Sequence, residues 1–493
     1  MRFNRVLLVQ AKYDSAFSNV FPAGIGSLSE TLDHEGLTND VFDLNVKRNT
    51  EGMLHDKIRH FKPDLIGFSM MSLNYKYNYG VIERLKAIFK DVKVVVGGAH
   101  LSTIRKEVLE NCKAIDYGVT LEGEHTLLEL MKGDEDEPDI KGLLYRDAGR
   151  IIYNGDRPFI QDLDSLPYPR YKKFNKSDYS TLVSLFSSRG CPFECTFCPT
   201  KLAIGRRFFT RSAKSVVDEM QYHYDLGYRD FTFRDDNFTL VRDRVYEICD
   251  EIEKRSFRDI YLMCDAGVRA DKVDRDILKR MKDVGFKMVA IGVEAGNDRV
   301  LKIIKKSETI AEIDRAIKTA CELDYIVELF LLIGAPGETW KDFEDTLSIA
   351  TRYPVMITSF YHILPYPNTE LFDFVKSNNY LLRSYEEYLN DGSQRVNTPF
   401  FATPEFSYEL RKKAFNYAYK VTSKHVKKAK IAYSRKNVHK KLRAMGMGDK
   451  LASFFARIYT ADLLFDLLSS NKLLAILKKN MKRRAAVKSA GIQ

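Results

Sequence analysis

The chain has 493 residues, 45% apolar and 29% charged, with a formal net charge of +11. That length allows two to three domains at roughly 150 residues each, and the balance excludes a disordered, collagen-like or small disulfide-stapled chain. The odd count of seven cysteines excludes a fully paired disulfide framework, and the charge is uneven: 18 Lys+Arg and three acids fall between Val421 and Gln493, so this stretch carries +15 and the rest −4. No run approaches the ~18–20 uncharged apolar residues of a membrane span, and residues 1–9 read as a first strand rather than a signal peptide. The expected location is the cytoplasm.

Short β-branched runs at 5–11, 40–44, 64–69, 92–97 and 114–119 alternate with helical periods at 24–35, 51–61, 75–89 and 123–131. This predicts an α/β, doubly wound, Rossmann-like parallel sheet. Segments 141–146 and 150–154 flank Asp147-Ala148-Gly149, a hairpin signal. Residues 156–180, with Pro158, Pro167 and Pro169, read as a linker. A second series puts strands at 182–187, 230–234, 260–265, 288–294, 327–333 and 357–364, a partial (β/α)6 barrel with its site at the carboxyl ends of the strands. The expected division is 1–155, 156–180, 181–400 and a helical, basic C-terminal region 401–493.

Cys191, Cys195 and Cys198 follow the first barrel strand as C-x-x-x-C-x-x-C. Three thiolates at this spacing suit three irons of a [4Fe–4S] cube and leave the fourth iron open. Zinc is the competing reading, but it usually takes four protein ligands, or three with water. No fourth Cys or nearby His completes such a set; His223 is 25 residues beyond Cys198. Cys112, Cys249, Cys264 and Cys321 read as small buried hydrophobes.

The segment Ser187-Ser188-Arg189-Gly190-Cys191-Pro192-Phe193-Glu194-Cys195-Thr196-Phe197-Cys198 resembles the signature of radical S-adenosylmethionine (SAM) enzymes, with the aromatic Phe197 before the last cysteine. Further motifs match in order as far as about Phe374. Asp235-Asp236-Asn237 resembles the second-strand SAM motif, and Gly292-Val293-Glu294-Ala295-Gly296 the fourth-strand one. Leu332-Ile333-Gly334-Ala335-Pro336-Gly337 resembles the fifth-strand motif, while Tyr366-Pro367-Asn368-Thr369 departs from the usual Pro-Gly-Thr after the sixth strand. The resemblance implies that Asp235 or Asp236 holds the SAM amino group, Glu294 its ribose hydroxyls, and the main chain near Ile333 and Gly334 its adenine. Taken singly, Asp235–Asn237 also reads as a turn with helix-capping acids.

The first half resembles the cobalamin-binding domain that precedes many radical SAM enzymes. The residues concerned are Ser69 and Ser72 after the third strand, Gly97, Gly98 and His100 after the fourth, and Glu122, Gly123 and Glu124 beyond the fifth. Small residues at strand ends let a large ligand approach the backbone. His100 also reads as a loop-capping residue. Residues 12–23 contain no His, so the resemblance implies base-off cobalamin without a His ligand. A sheet that binds nothing is the bland alternative. Methylthiotransferases, which need three amino-terminal cysteines, are set aside, since only Cys112 lies there.

The implied enzyme is a cobalamin-dependent radical SAM protein with a [4Fe–4S] cluster, methylating an unactivated carbon of an apolar or large substrate by way of methylcobalamin and a 5′-deoxyadenosyl radical. It would draw on an external one-electron reductant of flavodoxin or ferredoxin type. The runner-up is an oxidative cyclase of the magnesium-protoporphyrin monomethyl ester type. The reading from another class is a non-catalytic cobalamin or redox sensor. No general acid, base or other catalytic side chain is identified. Leu451–Leu477 repeats Leu and Phe at helical spacing between basic residues. This fits an amphipathic segment on an anionic membrane or a helix packed over the barrel; nucleic acid is the weakest fit, for want of an aromatic-stacking module.

Overall fold

The computed structural model describes residues 2–13, 19–133, 139–392 and 397–460. The first sheet runs β2(Thr38–Asp43)-β1(Arg5–Gln10)-β3(Leu65–Ser69)-β4(Lys93–Gly97)-β5(Tyr117–Val119)-β6(Leu143–Asp147)-β7(Arg150–Tyr153). β1 to β5 are parallel, and β6 and β7 add an antiparallel hairpin at the edge. β1, β3 and β4 are nearly continuous apolar runs because helices cover both faces. The order reverses direction at β1, and at such a switch point ligands enter over the strand ends.

The second sheet is sequential and wholly parallel: β8(Leu182–Leu185), β11(Asp230–Phe233), β12(Tyr261–Val268), β13(Phe286–Glu294), β14(Ile326–Ile333) and β15(Ile357–His362). A two-residue ribbon, β9(Ser188–Arg189) with β10(Phe209–Thr210), follows β8. Along β14 the burial alternates: Val327, Leu329, Leu331 and Ile333 are buried toward the outer helices, while Glu328, Phe330 and Leu332 stay half-exposed toward the concave side.

One hydrophobic core joins the two sheets. It contains Ile66 and Val94 of the first and Val183, Val289 and Leu329 of the second. The C-terminal region is part of this body: the helix Tyr408–Ala444 packs on β15, β14 and the helix Trp340–Arg352. Ala414, Ala418 and Thr422 of that helix are buried. The shorter helix Asp449–Tyr459 packs on it through Ala452 and Ala456 and exposes Leu451, Phe454, Phe455, Ile458 and Tyr459. Residues 461–477, with most of the leucines of the basic stretch, lie outside the described residues. Among the described residues no helix is long and apolar enough to cross a membrane.

Candidate active site

A cavity of about 370 Å³ lies between the two sheets. Its first wall is built from strand ends of the amino-terminal sheet: Gly67, Ser69, Gly97, Gly98, and Glu122 to Glu124. The linker adds Leu163, Leu166 and Pro167 to Pro169, and the barrel adds Phe186, Ser188, Arg189, Arg234 and Asp236. Three-quarters of the residues expected to touch a corrinoid therefore share one space.

Glycine backbone forms part of the rim. A Cβ on Gly24 would meet nothing within 4 Å, and one on Gly97 would sit 3.5 Å from the Val119 carbonyl. These residues leave room for a large planar ligand beside the backbone. Gly98 is required for a different reason: its φ is +92°, and a Cβ there would lie 2.8 Å from the Met70 carbonyl.

Ser72 and His100 do not line the cavity. His100 is buried, with Nε2 2.8 Å from Tyr79 Oη and Nδ1 3.3 Å from Ser72 Oγ, and its ring stacks on Tyr75. Burial pulls its pKa down to about 3, so the imidazole is neutral. It supports the loop after β4 from behind.

Glu122 and Glu124 line the cavity, but their carboxylates are engaged. Arg189 Nη1 donates to Glu122 at 2.8 Å and Nη2 to Glu124 at 2.7 Å. Burial by itself raises the Glu124 carboxyl, yet Arg189 outweighs it and holds Glu124 below its ordinary value.

Cys191, Cys195 and Cys198 are half-buried free thiols on the loop after β9. The loop is tied to its surroundings by Thr196, whose N–H donates to the Ile304 carbonyl at 3.0 Å and whose carbonyl accepts from Leu371 at 3.0 Å. Phe193 lies under the Arg269 guanidinium at 3.5 Å. Burial pushes the Cys195 thiol up to about 11 and also raises Cys191, and Cys198 adds to both. Among the described residues no three His, Cys, Asp or Glu side chains are gathered as a metal-ligand set. Three soft sulfur donors suit iron–sulfur ligation.

The two acids of the β11 motif divide their roles. Asp235 is buried: it accepts from Ser187 at 3.0 Å and from Ser188, and Arg244 stands 3.8 Å away. Asp236 opens onto the cavity, and burial, then Asp235, pushes its carboxyl up to about 6. Asn237 is buried, and neither of its amide atoms has a hydrogen-bond partner among the described residues.

Glu294 closes β13 with φ +60°, where the register to β14 slips. A non-glycine residue there marks a constrained site. Its carboxylate pairs with the buried Lys306 at 3.2 Å, and Lys306 also pairs with Glu308 at 3.3 Å. Gly334, after Ile333, has φ +96°, and the N–H groups of Gly334 and Ala335 donate to the buried Glu338. Phe197 is half-buried against the core. Lys306, Glu338 and Arg189 had no signal of their own in the sequence.

The concave side of the barrel carries Phe330, Leu332 and the exposed Tyr361. Its polar belt consists of Arg234 paired to Asp265 at 2.8 Å, and Glu328, which accepts from Ser359 at 2.7 Å.

The family profile of the radical SAM superfamily matches residues 185–350, and that of the B12-binding domain matches residues 13–131. The chain thus carries a B12-binding domain followed by a radical SAM domain. Its cofactors are a [4Fe–4S] cluster, SAM and cobalamin, and the donors and cavity described above suit all three. This radical SAM protein is 29% identical over 402 residues to an uncharacterized methyltransferase of Pyrococcus horikoshii, covering 78% of this chain and 85% of the relative. It is 26% identical to the anaerobic magnesium-protoporphyrin IX monomethyl ester cyclase of Cereibacter sphaeroides, covering 75% and 63% respectively. The fold is shared with the radical SAM methyltransferase TsrM of Kitasatospora setae, solved with cobalamin and a [4Fe–4S] cluster bound: TM-score 0.67, 21% identity, 84% of this chain and 85% of that one.

Proposed function

We propose that this radical SAM protein methylates an unactivated carbon of a large or mainly apolar small molecule. The observation that carries the reading is the single cavity shared by Ser69, Gly97, Gly98 and Gly123 on one wall and Arg234 and Asp236 on the other. A corrinoid would lie against the first wall, opposite Arg234 and Asp236; Cys191, Cys195 and Cys198 do not themselves line this cavity.

Cys191, Cys195 and Cys198 would ligate the cluster. Asp236, rather than Asp235, would hold the SAM ammonium, because the Asp235 carboxylate is already spent on Ser187, Ser188 and Arg244. Glu294 would receive the ribose hydroxyls, oriented by Lys306, and Asn237, Phe197, Ile333 and Gly334 would frame the rest. Ser69, Gly97, Gly98, Glu122, Gly123 and Glu124 would border the corrinoid, with Ser72 and His100 supporting that border. When bound, these groups supply one-electron cleavage of SAM, hydrogen-atom abstraction and methyl transfer. The protein binds and orients them and excludes water. Phe330, Leu332 and Tyr361 would hold the apolar body of the substrate, and Glu328 would accept from its polar group.

The domains would be a cobalamin-binding domain over 1–155, a linker over 156–180, a radical SAM barrel over 181–400 and a helical, basic region over 401–493. A flavodoxin- or ferredoxin-type protein would deliver the electron. The exposed Leu451, Phe454, Phe455, Ile458 and Tyr459, beside the basic helix, support peripheral contact with an anionic membrane; flotation with anionic vesicles at low and high salt tests it. Similarity to the cyclase of Cereibacter sphaeroides favours oxidative cyclisation as the second reading.

The test is mass spectrometry of extracts from a deletion strain and its parent. A metabolite lighter by one methylene unit should replace a parental one in the deletion strain. A missing ring closure with no such change would favour the cyclase reading.

A further inference from the structure

Arg189 is the last residue of β9 and stands two positions before Cys191, but its guanidinium leaves the barrel and ends among acids of the amino-terminal domain. Its fork meets two carboxylates at once, Glu122 at 2.8 Å and Glu124 at 2.7 Å. The acid side chains are only 10% and 6% exposed. Each acid holds a second partner. Glu122 Oε2 accepts from the Ile160 N–H at 2.7 Å, and Glu124 Oε1 accepts from the Ser27 hydroxyl at 3.0 Å.

One side chain thereby ties four pieces of chain together: the helix after β1, the turn after β5, the linker and the cysteine loop. Ser27, Glu122, Glu124 and Arg189 all border the cavity. On the barrel side the chain continues without a gap, since Ser188 donates to Asp235 and Asp236 opens onto the same cavity. The planar guanidinium fixes both acids in direction as well as distance, which an ammonium cannot do. Removing it strands two buried anions.

We propose that Arg189 is a positioning residue that transmits occupancy of the corrinoid cavity to the cysteine loop. The inference rests on the corrinoid reading of the cavity given above. Pressure of a bound corrinoid on the turn Leu121–Glu124 moves Glu122 and Glu124, and Arg189 carries that movement to the segment holding Cys191.

The experiment uses the full chain, anaerobically reconstituted with iron and sulfide, with and without added hydroxocobalamin. Two readouts are taken: the electron paramagnetic resonance spectrum of the reduced cluster, and hydrogen exchange of the peptides spanning residues 188–198. In the parent protein, hydroxocobalamin should change the cluster spectrum and slow exchange in that segment. In Arg189→Met both responses should vanish with iron content unchanged, and Arg189→Lys should recover part of them. If Arg189→Met does not fold, Glu124→Gln keeps the hydrogen-bonding shape and should weaken both responses. Equal responses in the parent and in Arg189→Met or Glu124→Gln overturn the coupling. So does a parent protein that retains hydroxocobalamin with no response. A parent protein that retains none overturns the corrinoid reading instead.

Discussion

Arg411 Nη1 donates to the carbonyl of Gly334 at 2.8 Å, across 77 residues of chain. A Cβ at Gly334 would sit 2.0 Å from that guanidinium, so the arginine can occupy this place only beside a glycine. Arg411 also donates to the Phe406 carbonyl at 2.8 Å and lies 4.4 Å over the Phe401 ring. The C-terminal helix thus completes the loop proposed to frame the adenine of SAM, and is not an appended tail.

Arg411→Met should destabilise the protein by about 3 kcal/mol or more, because the Gly334 and Phe406 carbonyls lose their buried donor and the buried Glu338 loses a nearby positive charge. Urea unfolding with a circular dichroism readout measures it. A change below about 1 kcal/mol would show that the loop holds itself.

Lys306→Met should weaken SAM binding more than it reduces iron content. It leaves Glu294 without its cation and Glu308 beside it in a buried site. Equilibrium dialysis of SAM against the reconstituted protein, with iron assayed in parallel, separates the two. Equal loss of both would make Lys306 a prop of the cysteine loop instead.

His100 predicts a pH response. It is neutral when folded, with its pKa near 3 through burial, and about 6.5 when unfolded. The unfolded chain therefore binds the proton first, and stability falls as pH drops below about 6.5, by about 2 kcal/mol at pH 5. His100→Gln should be less stable at pH 7 and should lose less between pH 7 and pH 5 than the parent. His223 and His362 are shifted down in the same way, so the difference between variant and parent is the quantity to compare. Parallel slopes would contradict the assignment.

Gly98→Ala should cost about 2 kcal/mol or more, since alanine at φ +92° meets the Met70 carbonyl. Gly24→Ala, open on all sides, should be near neutral in thermal unfolding while weakening hydroxocobalamin retention. Unchanged retention would place the corrinoid elsewhere on the rim.

Much of the fold was legible because the strands are apolar runs bounded by helical periods. The expected strand at 327–333 is Ile326–Ile333, and that at 230–234 is Asp230–Phe233. The strand expected at 260–265 continues to Val268, where the register to β13 slips after Cys264; no periodicity encodes such an irregularity. The ribbon of β9 and β10 has two residues in each strand and is too short to show a pattern. The helix expected at 123–131 appears as Glu124–Lys132, but the helices Ala99–Ile104 and Lys106–Asn111 were not anticipated, each being under two turns. Cys112, Cys249 and Cys264 are buried as expected, whereas Cys321 is only half-buried.

Motif residues were found by their neighbours in sequence, and their partners were not. Glu124 was read from its local motif, yet its cation lies 65 residues away. Lys306 and Arg411 have ordinary local surroundings and acquire their places only when β13 and β14 bring the loops together. The two acids at 235 and 236 looked equivalent in sequence. Both lie beyond the end of β11, where the chain enters a turn that buries Asp235 against Ser187 and leaves Asp236 on the cavity.

The most direct test of the central claim is product analysis. The full chain, reconstituted with iron, sulfide and hydroxocobalamin, is given a strong one-electron reductant and SAM, and S-adenosylhomocysteine and 5′-deoxyadenosine are quantified together. A cobalamin-dependent methyltransferase should release both, with S-adenosylhomocysteine lost when hydroxocobalamin is omitted. Release of 5′-deoxyadenosine alone, unchanged by hydroxocobalamin, would contradict methyl transfer.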